Sequence, residues 1–159
     1  SLFGAQLAAH LGLPYGFASH FAPEALNEAV ALYREMFKPS TQLDKPHVIA
    51  GMNVVVAEST EAADAMQEQV KRRRISSFLG RGRDFTEEEL DQLVVSPQAG
   101  QIAAMMRHTA TGTPPDVRAQ LRDFQSFADA DELIVVPNAT TIEARLRSIH
   151  LLADAWSAE

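Results

Sequence analysis

Residues 47–57, HVIAGMNVVVA, constrain the fold more than any other stretch of the chain. β-branched residues dominate it and apolar side chains fall on both alternating faces, the pattern of a strand covered on two sides. Such strands belong mostly to parallel sheets, and parallel neighbours need long crossover connections, usually helical. Two shorter apolar runs, Tyr15 to Ala18 and Glu132 to Val136 (ELIVV), read as strands of the same kind.

The connecting segments carry the helical signals. Residues 2–11 are rich in helix formers and stop at Gly12 followed by Leu13-Pro14. Pro23 opens a second helix, with Ala25, Leu26, Ala29, Val30 and Tyr33 at helical spacing until Lys38-Pro39. Ser59-Thr60, with the acidic Glu61 and Asp64, begins a third. Residues 78–112 show no strand pattern and read as a helical insertion, with a capping box at Thr86 and Glu89 and a helix over Pro97 to His108. Thr113-Pro114-Pro115 starts a helix striped by Val117, Leu121, Phe124 and Phe127. Thr140 and Glu143 form a second capping box, and Ile142, Leu146, Ile149, Ala153 and Trp156 read as the inner stripe of the last helix.

The expected class is α/β, a single domain over residues 1–159 with three parallel strands joined by right-handed crossovers. A chain of 159 residues with 46% apolar composition can bury one core. Three parallel strands leave two edges of unpaired backbone groups, so something should cover them.

Composition narrows the chemistry. Without cysteine there is no disulfide, thiolate metal site or thiol nucleophile. No stretch has the length of a membrane span, nothing near Ser1 has the form of a secretory signal, and a cytoplasmic location is the default expectation. A net charge of −7 argues against nucleic acid as a partner. The one basic run, Lys71-Arg72-Arg73-Arg74 with Arg81 and Arg83 beyond it, reads first as a solvated helix end where the macrodipole favours cations; the alternative is a grip on a polyanion. His10, His47, His108 and His150 lack metal-ligand spacing, so no metal is expected. Gly80-Arg81-Gly82-Arg83 follows no strand and lacks the third glycine of a dinucleotide fingerprint. Neither a nucleophile elbow nor a P-loop is present.

The stretches SLFGAQLAAHLGLPYGFASHFAP, LYREMFKPS, HVIAGMNVVVAES, TGTPPDVRAQL and DELIVV, in that order, resemble the C-terminal half of the bacterial luciferase-like flavin monooxygenases. The resemblance implies a partial (β/α)8 TIM barrel, its last three βα units, with the helical insertion before the last strand. It implies FMN as cofactor, or in some relatives the deazaflavin F420, and oxidation of a small organic substrate by O2. The serine-bearing loop that holds the flavin phosphate in the family corresponds here to Ser1, Leu2, Phe3 and Gly4. A helix N-terminus offers free N–H groups to an anion, which suits that role; apart from the resemblance, Ser1 reads as a plain N-cap. His20 and its neighbour Ser19 would follow the sixth barrel strand, at the end where active sites of this fold lie, and Asn53 would lie in the seventh. Each could touch substrate or flavin, or serve only as a structural hydrogen-bonding group. Half a barrel implies either self-association or contact with an N-terminal portion. The contrasting readings are a non-catalytic α/β interaction module and a small phosphate binder that uses the Ser1 loop alone.

Overall fold

The computed structural model describes residues 1–80 and 82–157. Helix α1 (Leu2–Leu11) is capped by Ser1, whose hydroxyl oxygen accepts from the Gly4 N–H at 3.2 Å. It ends at Gly12 with φ 62°, where any side chain would strike the Lys38 carbonyl. Strand β1 (Tyr15–Phe17) leads into α2 (Leu26–Met36), which begins three residues after the Pro23 expected to open it. Tyr33 of α2 stacks on Tyr15 with ring centroids 5.2 Å apart, donates to the Leu13 carbonyl and accepts from the His47 N–H. One side chain thereby fixes the entries of two strands against one helix.

Strand β2 (Val48–Val56) is the long strand announced by its sequence. It pairs in parallel with β1 through residues 48–50, with β3 (Thr109–Gly112) through residues 53–56, and with β4 (Glu132–Pro137) through residues 49–54. Residues 49–50 and 53–54 each have partners on both sides, so β1 and β3 follow one another along one edge of β2 and β4 occupies the other. The sheet therefore has four strands rather than three. Strand β3 falls inside residues 78–112, where no strand was expected. Its sequence TATG carries almost no apolar signal, and it forms because β2 runs on past the end of β1.

Helices cover one face of the sheet. Val48, Ala50, Met52, Val54 and Val56 point into a core shared with Ala5, Ala9, Leu26, Val30, Leu121 and Phe124. The opposite face carries Ile49, Gly51, Asn53 and Val55 of β2, Gly16 of β1 and Ile134 of β4. Gly16 and Ile134 are exposed.

Helix α3 (Thr60–Gly80) continues well past the basic run, which lies near mid-helix and not at its end, correcting the macrodipole reading. Lys71 meets Glu68, and Arg72 meets both Glu87 and Asp91 on α4 (Glu87–Val94). The capping box of α4 forms as expected, Thr86 with Glu89. With α5 (Pro97–Met105), these helices enclose a separate small core of Ile75, Ala99 and Ile102. Arg81 lies outside the described residues.

Helix α6 (Pro114–Phe127) buries its expected stripe except Phe127, which is exposed. Helix α7 (Ile142–Ser157) departs from expectation twice. The cap is Thr141, whose hydroxyl accepts from the Ala144 N–H, while Thr140 hydrogen-bonds Gln69 instead. The stripe Ile142, Leu146, Ile149, Ala153 and Trp156 faces outward, and Ser148 and Leu152 are the residues turned inward. Ile149, Ala153 and Trp156 line a cavity against Leu133 and Val135 of β4 and Leu121 of α6, without closing on them.

Candidate functional site

In parallel sheets with helical crossovers, ligands gather at the C-terminal ends of the strands, where side chains from several strands converge. Here the convergence point is Asn53. It is fully buried, and its side-chain amide donates to the His20 carbonyl at 2.7 Å and, at a marginal 3.5 Å, to the His108 carbonyl. Its Oδ1 accepts from the Asn138 side chain at 2.8 Å. Four segments, those following β1 and β4, that preceding β3, and β2 itself, are thus tied through one amide.

Ser19 is also fully buried and donates to the Gly51 carbonyl at 2.6 Å. His20 lies over Gly51 closely enough that a Cβ there would overlap its ring. The His20 Nδ1 atom is buried with no hydrogen-bond partner, an arrangement that structural histidines seldom tolerate. The structure brings Ser19, His20 and Asn53, each nominated separately from the sequence, together on the open face of the sheet, and adds Asn138. Asn138 is the first residue past ELIVVP, and a polar residue at that point was the available signal.

The Ser1, Leu2, Phe3 and Gly4 group lies apart, at the start of α1. Ser1 and Phe3 are exposed, Leu2 and Gly4 half-buried, and the Ser1 carbonyl accepts from the Tyr15 hydroxyl at 3.1 Å. Burial holds the Tyr15 phenol above its ordinary pKa. His108 packs against the rings of Phe124 and Phe127, and burial, reinforced by Arg107, lowers its pKa. Among the described residues no three His, Cys, Asp or Glu side chains group as a metal centre, and no helix is long and apolar enough to cross a membrane.

The family model for luciferase-like monooxygenases matches residues 1–130. The chain belongs to this family. The chain is 34% identical over 158 residues to the uncharacterized protein YvbT of Bacillus subtilis, covering 97% of this chain and 46% of the relative. It is 33% identical over 156 residues to a luciferase-like monooxygenase of Escherichia coli, covering 97% and 47%. Among solved structures, apo-MsnO8 superposes with a TM-score of 0.73 at 28% identity over 100% of this chain and 49% of that one. The long-chain alkane monooxygenase LadA matches with a TM-score of 0.64 at 14% identity over 99% and 39%, a likeness of fold alone. The chain spans about half the length of the curated relatives it matches.

Proposed function

We propose that this chain supplies the last three βα units of a (β/α)8 barrel that binds a flavin and oxidises a small organic substrate with O2. The observation that carries the reading is the buried polar cluster at the C-terminal ends of three parallel strands, in a member of the luciferase-like family. Related folds point the same way for the cofactor: one is a riboflavin lyase solved with modified FMN, another a coenzyme F420-dependent reductase.

The residues present fit a flavin. A Cβ added to Gly16 would meet nothing within 4 Å, so the open face has room for a flat ring beside β1. His20 is half-buried there with its Nδ1 turned in against Gly51, so the outer edge of the imidazole is the part that can meet a ring heteroatom. At the start of α1 the first-turn N–H groups and the helix dipole favour a phosphate near Ser1, Leu2, Phe3 and Gly4. When bound, a reduced flavin supplies the oxygen chemistry. The chain's own part is positional: Asn53 and Asn138 hold the strand ends in register, Ser19 fixes the loop that carries His20, and His20 faces the ligand.

The test is a titration of the 159-residue chain with FMN and with riboflavin, its oligomeric state measured in parallel. Saturable FMN binding in the micromolar range, with riboflavin clearly weaker, is expected for a site anchored by phosphate. Absence of any flavin binding would refute the proposal for this chain. One observation favours a second reading, an interaction module: Ile142, Leu146, Ile149 and Trp156 form an exposed apolar face next to the open edge of β4.

A further inference from the structure

We propose that the cavity beyond the C-terminal end of β4 is a binding site for the oxyanion group of the organic substrate, a carboxylate, sulfonate or phosphate monoester, held by Arg74 and Arg145. The word substrate rests on the function proposed above; the anion site does not. The cavity has a volume of about 230 Å³ and is lined by Arg73, Arg74, Arg145, Ser77, Phe78 and Asn138, among others, with no carboxylate in its wall.

Five cations elsewhere in this acidic chain are paired with carboxylates. Arg34 meets Asp131, Lys71 meets Glu68, Arg72 meets Glu87 and Asp91, Arg83 meets Glu89, and Arg147 meets Glu58. By contrast, Arg74 and Arg145 have neither an ion pair nor a side-chain hydrogen bond to any of the described residues. Arg73 bonds only the Thr140 carbonyl, at 2.9 Å, which orients its guanidinium without cancelling its charge. Three like charges around one cavity repel each other unless an anion lies between them, and guanidinium groups suit planar, bidentate oxyanion recognition.

Two further features favour the site. The N-terminus of α7, capped by Thr141, opens beside it and adds the positive end of a helix dipole. Val70 and Phe78 form an apolar wall suited to the carbon body of an organic anion. The location links the cavity to the proposed chemistry, because Asn138 lines it and also bonds Asn53. This narrows the anion-gripping alternative read from the basic run to a single oxyanion group held at Arg74.

Benzenesulfonate and its uncharged counterpart, benzenesulfonamide, are titrated calorimetrically into the 159-residue chain. Saturable binding of the sulfonate alone is expected, weakened about tenfold or more by Arg74→Gln and by Arg145→Gln. Lys71→Gln removes the same charge from the same helix and should change affinity less than about twofold. Equal binding of both probes, binding of neither, or an equal loss in Lys71→Gln would overturn the proposal. Circular dichroism confirms that each variant is folded. FMN and riboflavin titrations of Arg74→Gln complete the test: an unchanged preference for FMN assigns the cavity to the substrate, and a lost preference overturns that assignment in favour of the cofactor's phosphate. Failure of all flavin binding would reject the proposed oxidoreductase and leave the sulfonate result standing.

Discussion

Asn138 reaches across 85 residues of sequence to donate its side-chain amide to Asn53 Oδ1 at 2.8 Å. The bond closes a chain of amides that ends on the His20 carbonyl. Asn53→Leu keeps the side-chain volume but strands the groups at both ends, and should cost about 2–4 kcal/mol. Urea unfolding should show a lower midpoint with an unchanged slope. A double-mutant cycle with Asn138→Ala should give a coupling of about 0.5–3 kcal/mol; zero coupling would mean the two amides act independently.

Gly51 is small because His20 lies on it. Gly51→Ala should push the imidazole off the sheet face and destabilise the chain by about 1–3 kcal/mol. Adding His20→Ala to Gly51→Ala should recover part of that loss. Thermal melts of the two variants decide the matter, and no recovery would place the clash elsewhere.

The depressed pKa of His108 makes stability depend on pH in a definite direction. Its neutral form is favoured in the folded state, so the unfolded chain takes up a proton first as pH falls. Stability should be level above the ordinary histidine value of 6.5 and should fall as pH drops below it toward the lower folded-state value. His108→Phe keeps the contacts with Phe124 and Phe127 and should flatten this window, leaving only the carboxylate-driven loss at lower pH. Melting temperatures between pH 5 and pH 8, with and without the substitution, provide the check.

Ser1→Ala removes the cap of α1 and should cost about 1 kcal/mol. On the phosphate reading it should also narrow the preference for FMN over riboflavin. If stability falls while that preference stays intact, Ser1 is a cap and nothing more.

The outward stripe of α7 and Ile134 of β4 predict self-association. Sedimentation velocity should show concentration-dependent oligomers of the 159-residue chain. Leu146→Glu with Ile134→Lys, both at exposed positions, should shift the population to monomer. A monomeric parent chain at high concentration would remove the basis for this expectation.

What could be read in the sequence divides along physical lines. Local chemistry was legible: Gly12 ends α1 in the left-handed region, Thr86 and Glu89 cap α4, and HVIAGMNVVVA contains the central strand. Features set by distant neighbours were not. TATG becomes a strand only through the overhang of β2, and two adjacent threonines gave no indication that Thr141 rather than Thr140 would cap α7. The periodicity of α7 was visible, but periodicity reveals an apolar stripe without revealing which neighbour it meets. In the site, Ser19, His20 and Asn53 could be nominated from their place at strand ends. Asn138 also stands at a strand end and Arg74 in the basic run, but the meeting of Asn138 with Asn53 and of Arg74 with Arg145 is set by proximity across long stretches of chain and left no local signal.

Strand β2 is hydrogen-bonded to each of the other three strands, and none of those pairings is a hairpin. Among the described residues, β1 therefore finds its partner only once residues 48–56 have emerged, and one side of β2 gains its partner only when residues 132–137 follow. Such non-local pairing slows folding relative to local contacts. While it waits, the stickiest segment of the molecule is half covered, so the yield of native protein should depend on temperature and chaperone supply during that interval.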